Sequence, residues 1–158
     1  MKKEKLLISA CLLGQNVKYN GKNNKIDTTK LEKKYELVAF CPEVEGGLPI
    51  PRFPSEIVST SPLKLVNSLG DIVTEQFVLG AKKCVEICKK EGIKKALLKA
   101  NSPSCGLGKV YDGTFSGTLV DGDGVTVREL KDNGIEVFSE KQFVADSGVL
   151  LGVWESEG

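Results

Sequence analysis

Histidine is missing altogether from this chain of 158 residues. Its absence excludes imidazole acid–base catalysis and zinc sites built on His ligands, and leaves thiols, carboxylates, lysines and hydroxyls for any chemistry. Net charge is also missing. Twenty-two basic side chains face twenty-one acidic ones, and the basic residues are spread along the chain, so there is no field suited to gripping a nucleic-acid backbone. A small molecule is the expected ligand. No long apolar run occurs. The opening MKKEKLLISACLLG begins like a signal peptide, but Ser9 interrupts it and nothing of membrane-spanning length follows, so a cytoplasmic protein without membrane contact is expected. CxxC pairs are absent too, which argues against a dithiol redox motif or a local zinc knuckle. Five cysteines are nevertheless present. In a reducing compartment they are expected to be small buried residues or metal and redox groups, not disulfides.

What is there reads as one domain of α/β class. KLLISAC, ending at Cys11, is a short apolar run of buried-strand type, and YELVAF (Tyr35 to Phe40) is another. Asp27 is placed to cap a short helix through Lys34. Alternation on both sides of Leu69-Gly70 in KLVNSLGDIVT predicts a small hairpin. Thr74 to Glu91 carries helical periodicity and is stopped by Gly92, and KKALLKA (Lys94 to Ala100) follows as a strand. GVTVRELKDNG predicts a helix ending at Gly134, and IEVFSE a last strand. Short apolar strands alternating with helices call for a parallel sheet covered on both faces, a three-layer domain of Rossmann or flavodoxin-like type with a hairpin insertion. The domain is expected over residues 1–145, with 146–158 an unassigned tail that either packs back or meets a second chain. The oligomeric state is not legible.

The cysteines divide by position. Cys84 and Cys88 share the core-facing stripe of the best helix with Phe77, Ala81 and Val85, which makes them packing residues. Cys11 ends the first strand, Cys41 follows the second, and Cys105 lies in the loop after the third. Loops leaving the carboxyl ends of parallel strands emerge on one edge of a sheet, so these three should meet. Three thiolates without histidine suit zinc if a carboxylate or a fourth cysteine joins them, or a four-iron cluster with one iron left without a protein ligand. Spacing does not choose between the two.

The motifs SACLLG (Ser9 to Gly14), CPEVEGGLPIPR (Cys41 to Arg52), SPSCG (Ser102 to Gly106), YDGTFSG (Tyr111 to Gly117) and GDGVT (Gly122 to Thr126) follow one another in the order seen in the DUF523 family. These small bacterial iron-sulfur proteins are typified by thiouracil desulfidase, and the resemblance runs from about Leu6 to about Ser139. It implies a 4Fe-4S cluster held by Cys11, Cys41 and Cys105, with one iron not ligated by protein and free to take the sulfur of a thiolated nucleobase. The family's assisting carboxylate and hydroxyl fall on Glu43 and Ser102. The segment around Tyr19 departs from the family pattern: Lys18, Asn20 and Lys22 replace an acid and add a base, so the resemblance implies a thiolated nucleobase without fixing thiouracil as the substrate.

These residues define an expected mechanism. Iron bound to the thiocarbonyl sulfur makes sulfide a better leaving group, Glu43 is the general base for water, and Ser102 relays a proton or donates a hydrogen bond. Backbone N–H groups around Gly106 to Gly108 are expected to face the cluster. Tyr19, Arg52, Ser104 and Gly106 are weaker candidates for substrate binding, Tyr19 as part of a lid and Arg52 as a clamp on a substrate carbonyl or anion. The expected activity is therefore non-redox removal of sulfur from a small thiolated molecule with release of sulfide. The alternative is a metal-binding or sulfur-carrier protein without catalysis of its own.

Overall fold

The computed structural model describes residues 3–145, so the anticipated tail at 146–158 lies outside the described residues. Four strands form the central sheet: β1 (Glu4–Ser9), β2 (Tyr35–Phe40), β5 (Lys95–Leu98) and β8 (Glu136–Ser139), in the spatial order β2-β1-β5-β8. All three pairings are parallel, with Leu6 opposite Leu37 and Lys95, and Leu97 opposite Phe138. The chain thus moves outward from β1 to β2, then returns to build on the other side of β1. The result is the α/β class with a mostly parallel sheet.

Period-two alternation in these strands feeds two cores. Leu6, Ile8 and Leu97 face one side and pack with Leu12, from a single 3-10 turn (Ala10–Leu13), and with Leu31 of helix α1 (Thr29–Lys34). Leu7, Ala96 and Leu98 face the other side, against Cys84, Val85 and Cys88 of α3 (Thr74–Glu91) and Val127 and Leu130 of α4 (Val125–Asp132). Cys84 and Cys88 are core residues, as their spacing predicts, with 0% and 1% exposure. The α3 stop is also as predicted, with Gly92 in the left-handed conformation at φ 69°. Asp27 accepts hydrogen bonds from the Thr29 backbone N–H (3.0 Å) and hydroxyl (2.6 Å), which organises the start of α1.

Two ribbons lie outside the sheet. The main hairpin pairs β3 (Ser55–Thr60) with β4 (Leu63–Asn67) across Ser61-Pro62. The expected Leu69-Gly70 turn is present but closes only a single antiparallel bridge between Val66 and Ile72. The alternation in KLVNSLGDIVT locates β4 correctly; its true partner, SEIVST, is flanked by Pro51, Pro54 and Pro62, which conceal it as a loop. The second ribbon, β6 (Lys109–Tyr111) with β7 (Leu119–Asp121), makes YDGTFSG the link between two short strands. A one-turn helix α2 (Pro42–Glu45) follows Cys41, and α5 (Glu140–Ala145) follows β8. Among the described residues no helix is long and apolar enough to cross a membrane.

Candidate functional site

The carboxyl ends of β1, β2 and β5 open into a cavity of about 540 Å3 lined by Cys11, Cys41 and Cys105. Convergence follows from topology. The sheet reverses direction of growth at β1, and the crevice beyond the strand ends at such a reversal is where ligands enter open α/β sheets. Cys11 lies in the 3-10 turn after β1, with Asn24 Nδ2 donating to its Sγ at 3.6 Å. Cys41 is the N-cap of α2, with Pro42 at the first helical position. Cys105 lies in the SPSCG loop after β5. All three thiols are free. Burial is the largest cause raising each thiol's pKa, pushing Cys105 up to about 12; the neighbouring Cys41 adds to the rise at Cys105. Among the described residues no three Cys, Asp or Glu side chains stand close enough to hold a single metal ion.

Glu43 is the second residue of α2, and both of its carboxylate oxygens are held. Arg52 Nε donates to Oε1 at 3.1 Å, and Ser104 Oγ donates to Oε2 at 2.9 Å. The Arg52 side chain is 7% exposed and that of Glu43 16%. Arg52 spends the rest of its fork on the carbonyls of Val17 (Nη2, 3.0 Å) and Pro49 (Nη1, 3.2 Å). All three guanidinium nitrogens thus have protein partners, and Arg52 orients Glu43 while tying down the chain before Tyr19. The Tyr19 carbonyl itself accepts from the Arg52 backbone N–H at 2.7 Å, and the Tyr19 side chain lines the cavity with 43% exposure.

Ser102 folds the SPSCG loop around itself. Its Oγ accepts from the backbone N–H groups of Ser104 and Cys105, both at 3.1 Å, and lies 2.9 Å from Ser104 Oγ. A hydroxyl that accepts twice still has its own proton to give. Ser104, only 1% exposed, already directs its proton to Glu43, so the order of donation is Ser102 to Ser104 to Glu43. The hydroxyl in direct contact with Glu43 is therefore that of Ser104.

Gly106 has no room for a side chain: a Cβ there would lie 2.7 Å from the carbonyl oxygens of both Ser102 and Lys109. Its N–H bonds Ser102 O at 2.9 Å, and the N–H of Gly108 bonds Asp123 Oδ1 at 2.8 Å. Those two donors are used within the protein and do not face the cavity as expected; the glycines serve the turn. The opening of α4 completes the clamp. Gly124, Val125 and Thr126 N–H groups bond the carbonyls of Gly106, Pro103 and Ser104 at 2.8, 2.9 and 2.9 Å.

Four contributors carry no motif in the sequence. Asn24 reaches Cys11 from a polar loop that carries no local signal. Lys99 lines the cavity and is paired with Glu140 at 3.2 Å, while the other Glu140 oxygen accepts from the Ala100 N–H at 2.6 Å. Glu140 immediately follows β8, so the rule that located the cysteines also points to it. Glu56 of β3 lines the same cavity and bonds the YDGTFSG loop.

Comparison with known proteins identifies the family and a matching fold. Residues 6–142 match the model of the 2-thiouracil desulfurase family. The chain is 39% identical over 145 residues to the uncharacterized protein YbbK of Bacillus subtilis (strain 168), covering 87% of this chain and 96% of that one. A solved structure of the 4Fe-4S-dependent thiouracil desulfidase TudS superposes with a TM-score of 0.83 at 44% identity, covering 93% of this chain and all of that one.

Proposed function

Given that the chain belongs to the 2-thiouracil desulfurase family, we propose that it is a 4Fe-4S-dependent desulfidase that hydrolyses a small thiocarbonyl compound, such as a thiolated nucleobase, to its oxo form. The observation that carries this reading is one cavity lined by Cys11, Cys41, Cys105, Glu43 and Ser104 at the ends of adjacent parallel strands. The order β2-β1-β5-β8, reversing at β1, supports a sheet of doubly wound Rossmann or flavodoxin-like type.

The donor set fits an iron-sulfur cluster. It offers three free thiols without imidazole, on three separate loops that line one cavity. Cys11, Cys41 and Cys105 would hold it, with one iron not ligated by protein, and their ionisation on binding releases protons that burial otherwise keeps on sulfur. When bound, the cluster supplies a Lewis-acidic iron for the substrate's sulfur.

The protein's own groups then handle water and protons. The overall change is thiocarbonyl plus water to carbonyl plus hydrogen sulfide: a C–O bond forms, the C–S bond breaks, and no electron is gained or lost. Glu43 takes a proton from the attacking water. Arg52 fixes the carboxylate's direction through its Nε–H, at 3.1 Å. Ser104, between Ser102 and Glu43, passes the proton onward to the ring nitrogen or the departing sulfur, with Ser102 holding it in line. Proton transfer by a positioned carboxylate contributes about 10²- to 10⁴-fold in rate.

The test is anaerobic reconstitution with iron and sulfide, followed by incubation with a panel of thiolated pyrimidines in isotopically labelled water and without reductant. Equimolar sulfide and labelled oxo product are expected. Release only in the presence of a reductant would point to electron transfer, and no release across the panel would point to sulfur carriage.

A further inference from the structure

Phe115 adopts a left-handed backbone conformation, φ 58°, which it shares with only one other non-glycine among the described residues, Asn101 at φ 67°. Asparagine tolerates that region; a bulky side chain is a genuine outlier there. Strain of this kind persists only where the surroundings over-determine it, and it clusters at functional sites.

The surroundings do over-determine it. Glu56, 9% exposed, accepts the N–H of Gly113 at 2.9 Å and that of Phe115 at 3.2 Å with the same oxygen, Oε1. Gly113, at φ 92°, lies flush on β3, where a Cβ would be 2.8 Å from the Ile57 carbonyl oxygen. Asp112 Oδ1 accepts from both the N–H and the hydroxyl of Thr114, at 2.9 and 2.6 Å, and Gly117 turns the chain back at φ 80°. A nearly buried carboxylate and two glycines thus organise one residue whose ring contributes little to the core. Phe115 is 38% exposed and lines the cavity of the three cysteines. Tyr19, the other largely exposed aromatic side chain lining it, is likewise anchored through its backbone.

We propose that Phe115 is the aromatic wall on which the planar ring of a heterocyclic substrate stacks, and that Glu56 is the positioning residue that holds it there. This rests on the desulfidase reading for the substrate class, a thiolated heteroaromatic ring, and extends it to specificity. An exposed Phe with a left-handed backbone gives the fold nothing that Gly or Asn would not give at less strain. An aromatic side chain at the cavity wall is what the strain retains. Stacking on an aromatic side chain tolerates different rings, so the site favours flat bases over acyclic thioamides without reading one base edge.

The experiment measures anaerobic equilibrium binding of 2-thiouracil and of thiourea, which has no ring, to the reconstituted protein, with turnover measured separately. Phe115→Asn, which suits the left-handed backbone, is expected to keep or raise the thermal midpoint, leave the cluster spectrum unchanged, weaken 2-thiouracil binding about tenfold and leave thiourea unaffected. Phe115→Tyr keeps the ring and the binding. Glu56→Ala, which also lowers the thermal midpoint by removing the acceptor of two backbone N–H groups, weakens 2-thiouracil binding as Phe115→Asn does, while Glu56→Gln, which retains an acceptor oxygen, keeps binding. Unchanged 2-thiouracil binding in Phe115→Asn, equal weakening of both probes, or no binding of thiolated rings by the parent protein overturns the proposal. Parent protein that binds the ring but releases no sulfide refutes the desulfidase reading and leaves the stacking wall standing.

Discussion

Gly80 of α3 lies so close to Pro42 of α2 that a Cβ on it would be 1.9 Å from the Pro42 carbonyl oxygen. The contact is reciprocal between the two helices, since a Cβ on Gly46 would lie 2.0 Å from Gln76 O. Backbone therefore rests on backbone, and α2 is held at the depth that brings Cys41 and Glu43 to the cavity. Gly80→Ala improves helix propensity yet must push α2 away. A net destabilisation of about 1 to 3 kcal/mol is expected, with impaired cluster loading, read by denaturant unfolding and iron content. Normal loading and stability in that variant would mean that α2 does not need this seat.

The two classes of cysteine should respond differently. Cys11→Ser, Cys41→Ser and Cys105→Ser should each abolish stable cluster binding after anaerobic reconstitution, measured by absorption spectrum and iron and sulfide analysis. Cys84→Ala, at 0% exposure, should retain the cluster and cost about 1 to 3 kcal/mol of packing. Loss of the cluster in Cys84→Ala with retention in Cys41→Ser would refute the ligand assignment.

Glu43→Gln keeps size and an oxygen for Arg52 but removes the base. Its cluster spectrum should match that of the parent while turnover falls about 10²- to 10⁴-fold. Arg52→Gln should lower turnover as well and destabilise the protein by about 3 kcal/mol or more, because it strands a nearly buried carboxylate. Unchanged turnover in Glu43→Gln removes that residue from the mechanism.

Alkaline pH probes a different part of the fold. Burial, aided by the carboxylates of Glu4 and Glu136, pushes the Tyr35 phenol up to about 12 from its ordinary value of 10.0. The folded state thus holds the phenolic proton more tightly than the unfolded chain. The stabilisation is fully present below pH 10 and is lost as pH rises toward 12. Tyr35→Phe should unfold with a shallower pH dependence across that window, measured by denaturant midpoints. Parallel curves for the two proteins would contradict the shift.

Much of the site was legible because topology converts local patterns into place. Short apolar strands ending in Cys11 and Cys41, and the strand running into the SPSCG loop, imply one edge once the sheet is parallel, and the edge collects whatever follows each strand. The same logic separates Cys84 and Cys88, whose helical register alone assigns them to the core. Tertiary structure decided what depends on contacts between distant segments. SEIVST became β3 through pairing with Leu63–Asn67, despite prolines that locally argue for a loop. Arg52, nine residues from Glu43, found its partner only when α2 and the following loop packed together, and three separate acceptors turned an expected substrate clamp into an orienting group. Ser102 and Ser104 are two residues apart in one loop, and local chemistry alone does not tell their hydroxyls apart. Their roles diverge because one oxygen accepts two backbone donors while the other reaches Glu43, 61 positions away in the chain. Periodicity and strand order are properties of the chain as written; the direction of a side chain's last hydrogen bond is settled by partners that only folding supplies.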